Sequence, residues 1–192
     1  MKRETTSVII VGVGGQGTLL SAGILSEAAA LSGLEVKSSE VHGMAQRGGC
    51  VSSHIRYSDK VFSPQSMKGG VDLLISFEKL ETLRYLDYLT PQGKIIINDE
   101  EIYPPSVNMG EGEYPSNVLE TVSEYFKDVR VVAASSLAEK AGDKRMANTV
   151  LMGALSVHLP VDKIIWEEAL KRTFSGILAT MNLSAFGMGR NV

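Results

Sequence analysis

The sequence predicts an α/β fold: a Rossmann-like, doubly wound, mostly parallel sheet with a small antiparallel addition and a helical C-terminal layer. Three observations carry the prediction. Short β-branched runs at Ser7–Val11, Val71–Phe77 and Lys94–Asn98 read as buried strands. Helix-like segments rich in Leu, Ala and Ile alternate with them. Finally, Gly12-Val13-Gly14-Gly15-Gln16-Gly17 follows the first strand at once and leads into a helix. Alternation of this kind is what a largely parallel sheet covered by helices requires.

Each element follows in order. After Ser7–Val11 and the glycine turn, Thr18–Leu31 carries Glu27 as its only charge and reads as a helix buried on most sides, closed by Gly33. Leu34–Val41 reads as a second strand, so the first 41 residues form a strand–helix–strand unit. Val41–Gly49 has no periodicity and reads as a loop. Cys50–Tyr57 alternates polar and apolar residues, which predicts a strand with one wet face. Ser58-Asp59 turns it toward a short return strand at Lys60–Ser63, the antiparallel addition. Val71–Phe77 leads to a helix over 78–89, and Pro91-Gln92-Gly93 separates that helix from Lys94–Asn98. Glu100–Pro115, with three prolines and two glycines, reads as a loop. A helix near Asn117–Phe126 and a strand at Val129–Ala133 follow. The remainder reads as helices at 136–141, 144–158, 162–173 and 175–185, with Pro160 between two of them. One domain over residues 1–192 is expected.

Composition excludes several classes of function. The balance of 19 basic against 22 acidic residues, net −3, lacks the basic surplus of a nucleic-acid binder. Residues 5–26 carry no charge, but Gly12, Gly14, Gly15, Gly17 and Gly23 interrupt them, which argues against a membrane span or a signal peptide. The chain reads as soluble and cytoplasmic. Its single cysteine, Cys50, allows no internal disulfide, no iron–sulfur cluster held by cysteines of this chain and no four-cysteine zinc site. The three histidines, His42, His54 and His158, are scattered and make no metal site; His54 and His158 read as structural. Cys50 reads as a small packing residue.

Glycines concentrate instead of spreading: nine of 19 fall in residues 12–17, 43–49 and 69–70, which points to shaped loops. The first cluster matches G-x-G-x-x-G between a strand and a helix. Gly12, Gly14, Gly15, Gln16 and Gly17 thus make a candidate anion or nucleotide site, where bare backbone N–H groups and a helix N-terminus meet a ligand. Glu40, 23 residues beyond Gly17, stands roughly where a ribose-binding acid would be in a dinucleotide site. The second cluster sets Arg47 before Gly48 and Gly49, a planar fork for phosphate or carboxylate, with His42, Gly43, Met44 and Gln46 around it. Asn148 and Thr149 sit in an otherwise apolar helix, so they either bond within the core or face a site. No nucleophile–base arrangement emerges. There is no G-x-S-x-G, no H-E-x-x-H and no Walker lysine, and no catalytic residue is assigned.

Taken together, VIIVGVGGQGTLLSAGILSEAA (8–29), EVHGMAQRGGCVSSHIRY (40–57) and NTVLMG (148–153) resemble the gamma-type domain of the 2-oxoacid:ferredoxin oxidoreductases. The wording of Glu40–Gly49 resembles the indolepyruvate branch, where the domain is the small beta subunit. The resemblance implies CoA-dependent oxidative decarboxylation of an aryl pyruvate to acyl-CoA, CO2 and reduced ferredoxin. It implies a large alpha subunit, two of each chain, holding thiamine diphosphate, magnesium and the iron–sulfur clusters. Ferredoxin would meet the complex, and coenzyme A would pass near the two glycine loops. The alternative is a stand-alone NAD(P)- or nucleotide-binding Rossmann protein, with Glu40 or Arg47 at the ribose.

Overall fold

The computed structural model describes residues 5–43 and 49–192. Six strands form one sheet: β1 (Thr6–Val13), β2 (Glu35–His42), β3 (Cys50–Ser58), β4 (Val71–Ser76), β5 (Leu89–Asn98) and β6 (Val129–Val132). Their spatial order is β2-β3-β1-β4-β5-β6. β1, β4, β5 and β6 pair parallel, while β3 pairs antiparallel with both β1 and β2. The sheet is therefore mostly parallel, as predicted, with one reversed strand.

That reversed strand is not where the sequence placed it. Residues 60–63 form no strand. The antiparallel element is β3 itself, and it lies between β1 and β2, so the first two strands are parallel without being neighbours. The wet face expected for Cys50–Tyr57 is also absent. Ser52, Ser53 and His54 are all buried, because partners on both edges and layers on both faces enclose the strand. Alternation of polar and apolar residues reports chemistry, and small hydroxyls are cheap to bury beside a hydrogen-bonded ladder.

One face of the sheet carries α1 (Thr18–Leu31), then α5 (Ala134–Ala141), α6 (Ala147–Ser156), α7 (Lys163–Thr173) and α8 (Gly176–Arg190). The core there joins Ile10, Ile55 and Ile75 of the sheet to Leu25, Leu151, Trp166 and Phe186. The opposite face buries Ile9, Val11, Leu74 and Ile97 under α2 (Lys79–Tyr85) and α4 (Val118–Tyr125), with the short α3 (Pro105–Asn108) in the loop between β5 and α4. α1 occupies the residues predicted for it, and Gly33 takes the left-handed conformation past its end (φ 78°). The C-terminal helical layer also matches expectation, held by a close crossing of α6 and α8. A Cβ on Gly153 would run into the Phe186 carbonyl, so only glycine lets the two backbones approach this closely.

Pro91-Gln92-Gly93 punctuates nothing: it lies inside β5. Val71 pairs with Leu89 and Leu73 with Lys94, so β5 spends five residues where β4 spends two. The proline and glycine sit in that irregularity, between the paired residues Leu89 and Lys94. Among the described residues no helix is long and apolar enough to cross a membrane.

Candidate functional site

The glycine turn sits at the carboxyl edge of the parallel strands, between the end of β1 and the start of α1. Its shape is held by one side chain. Gln16 Oε1 accepts the Val13 N–H at 2.7 Å, and Gln16 Nε2 donates to the Phe77 carbonyl at 2.9 Å. The side chain thus ties the end of β1 to the end of β4. Gly12 makes room for this clasp: a Cβ there would stand 2.8 Å from Gln16 Oε1 and 3.0 Å from Phe77 Cβ. Gln16 works here as a fastener of the turn.

Gly17 closes the turn with φ 85° and precedes α1 without a side-chain cap. The first intrahelical bond runs from Ser21 N–H to the Gly17 carbonyl, so the N–H groups of Thr18, Leu19 and Leu20 have no intrahelical acceptor. They bring a favourable field for negative charge. Gly15 has φ 101°, and nothing lies within 4 Å of where its Cβ would be.

The two glycine loops meet. Gly14 N–H donates to the Gly49 carbonyl at 3.0 Å, which spends the Gly14 donor on the second loop. Gly43 N–H donates to the Cys50 carbonyl at 2.8 Å and closes the base of that loop. Met44, Gln46, Arg47 and Gly48 lie outside the described residues. A cleft of about 740 Å³ opens where the loops join; Gly15, Thr18, Leu19, His42, Gly49 and Val51 line it. Leu19 and Leu20 are about 40 % exposed there, an apolar wall beside N–H groups that have no intrahelical acceptor.

A second cleft of about 370 Å³ lies beside the turn and shares Gly15 and Gln16 with it. Asn98, Glu100, Ser135, Lys144, Arg145 and Asn148 line it, and of these only Asn148 was singled out from the sequence. Asn98 could have been read from KIIIN, as a polar residue ending an apolar strand at the carboxyl edge. It donates to the Phe77 carbonyl (3.3 Å) and to Glu100 (3.0 Å), and accepts the Ala134 N–H (3.1 Å), so it binds three strand ends together. Lys144 and Arg145 gave no sequence signal.

Asn148 and Thr149 divide the roles that the sequence left open. Thr149 Oγ1 donates to Asn182 Oδ1 at 2.7 Å inside the core. Asn148 Oδ1 accepts the Thr149 N–H at 2.9 Å, while its Nδ2 reaches Gly17, 3.0 Å from where a Cβ would stand.

Cys50 is a half-buried thiol, with Sγ 3.4 Å from the Tyr85 hydroxyl. Burial, then the neighbouring Glu81 carboxylate, push its pKa up from 9.0 to about 11. Such a thiol stays protonated, which matches the packing role read from the sequence. His54 is also structural: Nδ1 accepts the Ser66 N–H at 3.4 Å, Tyr88 packs against the ring edge-to-face at 5.6 Å, and burial lowers its pKa. Among the described residues no group of three or more His, Cys, Asp or Glu side chains could hold a metal ion.

Glu40 is exposed on β2 and does not line the cleft beside the glycine turn. In a dinucleotide fold the acid ends the strand adjacent to β1. Here β3 stands between, so the ribose geometry of the alternative reading is not built.

Fold and site therefore define an α/β protein that offers a glycine-lined cleft at the carboxyl edge of its sheet. The chain belongs to the pyruvate ferredoxin/flavodoxin oxidoreductase family, whose model matches residues 7–192. It is 39% identical over 191 residues to the indolepyruvate oxidoreductase subunit IorB of Archaeoglobus fulgidus, covering 96% of this chain and 94% of that one. It is 36% identical over 188 residues to the IorB of Pyrococcus horikoshii, covering 95% and 93%. Among solved structures, the gamma subunit of a keto/oxoacid ferredoxin oxidoreductase from Geobacter sulfurreducens superposes with TM-score 0.71 at 24% identity, over 97% of this chain and 96% of that one. The 2-oxoglutarate:ferredoxin oxidoreductase of Magnetococcus marinus, solved with 2-oxoglutarate, coenzyme A and succinyl-CoA bound, superposes with TM-score 0.76 at 20% identity. It aligns over 98% of this chain but 31% of its own, so this fold is one part of a longer chain there.

Proposed function

We propose that this chain is the small subunit of an aryl-pyruvate:ferredoxin oxidoreductase, one gamma-type domain over its whole length, working in the cytoplasm beside a large alpha subunit. The carrying observation is the pattern of identity. Four relatives at 33–39% are indolepyruvate oxidoreductase subunits, whereas the 2-oxoglutarate and pyruvate/ketoisovalerate relatives stand at 29%. The reaction joins a 2-oxoacid and coenzyme A, releases CO2, and passes two electrons to oxidised ferredoxin. One cysteine cannot hold the clusters that carry those electrons. They belong with thiamine diphosphate and magnesium on the alpha subunit, in an assembly of two copies of each chain.

The 740 Å³ cleft fits part of coenzyme A or a partner segment. Its N–H end suits phosphate or carboxylate, and Leu19 and Leu20 suit an apolar chain. Arg47 would add a charged fork from the adjoining loop. The chain contributes by binding and positioning while the electron chemistry runs on the alpha subunit.

The test is reconstitution. Aryl-pyruvate-dependent, CoA-dependent ferredoxin reduction is expected from this chain with its large subunit and from neither alone. Reduction by this chain alone would sink the reading, as would micromolar binding of NADH or NADPH by calorimetry.

A further inference from the structure

We propose that a third cleft, on the α2 side of the sheet, receives a basic side chain from a partner chain, with the Glu81 carboxylate as its anchor. This rests on the reading above that the chain works as one subunit of a complex, and it names a surface by which a neighbour is held. The cleft measures about 380 Å³ and sits where Val13 ends β1 beside Cys50, the first residue of β3. It shares no residue with the 740 Å³ cleft beside α1. Glu81 and Arg84 of α2 line it, together with Tyr103, Pro104 and Asn108 of the segment after β5.

Two buried carboxylates stand three residues apart here, and only one is satisfied. Glu78 caps α2, accepting the Glu81 N–H through Oε2 at 3.0 Å. Its Oε1 accepts the Ile102 N–H at 3.2 Å and the Tyr114 hydroxyl. These bonds tie the 102–114 segment to α2, so the cleft is formed before anything enters it. Glu81 differs. Its side chain is 7 % exposed, and Oε1 pairs with Arg84 Nε at 3.2 Å. Oε2 is buried and has no hydrogen-bond partner among the described residues. The nearby Cys50 thiol is a weak donor and stands 3.4 Å from the Tyr85 hydroxyl. A buried carboxylate oxygen left unmet is costly, whereas a cation that reaches it makes a strong charge-assisted bond. The terminal torsion of a glutamate is broad, so the free oxygen can turn toward an arriving donor.

Charge selects the kind of donor. Glu78 and Glu81 bring two negative charges, and Arg84 returns one. Lys79, on the same helix, is taken by Asp99 at 2.7 Å and Glu101 at 3.2 Å. Burial raises the Glu81 pKa and Glu78 adds to the rise, while Cys50 and Arg84 oppose it. An incoming cation settles the carboxylate in its charged form. The rim favours a protein as its bearer. Tyr103 and Met109 are 50 % and 66 % exposed on the segment that walls the cleft, and both residue types are enriched at interfaces. A guanidinium can pair with Glu81 while stacking on the Tyr103 ring.

The complex with the large subunit is assembled from wild-type and Glu81→Gln chains, and its dissociation constant is measured by calorimetry. Glutamine keeps the shape and removes the charge. The constant is expected to rise roughly tenfold or more. An unchanged constant overturns the proposal and leaves the parent function standing. A variant that melts lower yet assembles like wild type does the same, because that marks a purely structural role. In parallel, the wild-type full chain is titrated with Nα-acetyl-argininamide and with its neutral analogue Nα-acetyl-citrullinamide, followed by amide resonances. Saturable, millimolar shifts at Glu81, Arg84 and Tyr103 are expected from the first alone. No shifts there, or equal shifts from both, overturn the proposal even if the variant fails to fold. Micromolar binding of the argininamide with an unchanged assembly constant makes the cleft a small-molecule site and also overturns it. A wild-type chain that does not assemble counts against the parent reading, and the titration then decides this one.

Discussion

Replacing Gln16 with Leu tests whether the glycine turn is held by a side-chain clasp. Leucine nearly conserves volume but removes both polar atoms. The Val13 N–H, now 2.7 Å from Gln16 Oε1, loses its acceptor. The Phe77 carbonyl loses a donor at 2.9 Å but keeps Asn98 Nδ2 at 3.3 Å, so its loss is smaller. Leaving a buried backbone donor unmet costs about 1–3 kcal/mol. For a chain of this size about 1 kcal/mol lowers Tm by roughly 2–4 °C. A fall of roughly 2–12 °C is therefore expected by calorimetry, with a rise in KM for coenzyme A in the reconstituted complex. Gln16→Glu keeps the acceptor for Val13 and should recover part of the stability. A Gln16→Leu protein that melts with wild type and keeps its KM would refute the clasp.

Four further outcomes are expected. Gly153→Ala forces α6 and α8 apart at the Phe186 carbonyl, so denaturant unfolding should show a loss of about 2 kcal/mol or more, at the upper part of the overpacking range. Cys50, with its pKa near 11, should react with iodoacetamide at pH 8 roughly 10- to 100-fold more slowly than a free thiol, and a normal rate would contradict the packing role. Burial lowers the pKa of both His54 and His158, so the unfolded chain takes up their protons first on acidification. Stability should therefore hold above a pH of about 6.5 and decline as pH falls through it, with His54→Gln reducing the slope of that decline. Arg47→Ala, if Arg47 supplies the proposed charged hydrogen bond worth about 1.5–3 kcal/mol, should raise KM for coenzyme A or the dissociation constant of the assembly roughly 10- to 150-fold; both unchanged would exclude the role.

Much of the working edge was legible in the chain. The strand, glycine turn and helix from Ser7 to Leu31 follow from local chemistry: β-branched residues, then glycines, then a long uncharged helix former. The meeting of the 12–17 and 43–49 loops was also foreseeable, since both follow strands that end on one side of a parallel sheet, and the Gly14–Gly49 bond joins them. Glu40 was legible as an acid at the right distance in sequence, yet β3 places it two strands away from β1. Lys144 and Arg145 were silent because two adjacent cations on a helix-rich stretch look like any solvated turn.

The sequence by itself therefore determined the α/β class, the glycine turn, the helical C-terminal layer and the family motifs, because each depends on residues near one another in the chain. Tertiary structure alone decided that β3 runs backwards between β1 and β2, that Gln16 fastens β1 to β4, and that Asn148 comes to Gly17 from a helix more than a hundred residues away. Periodicity records which face a residue prefers. Pairing partners and donor–acceptor geometry arise only when distant segments pack.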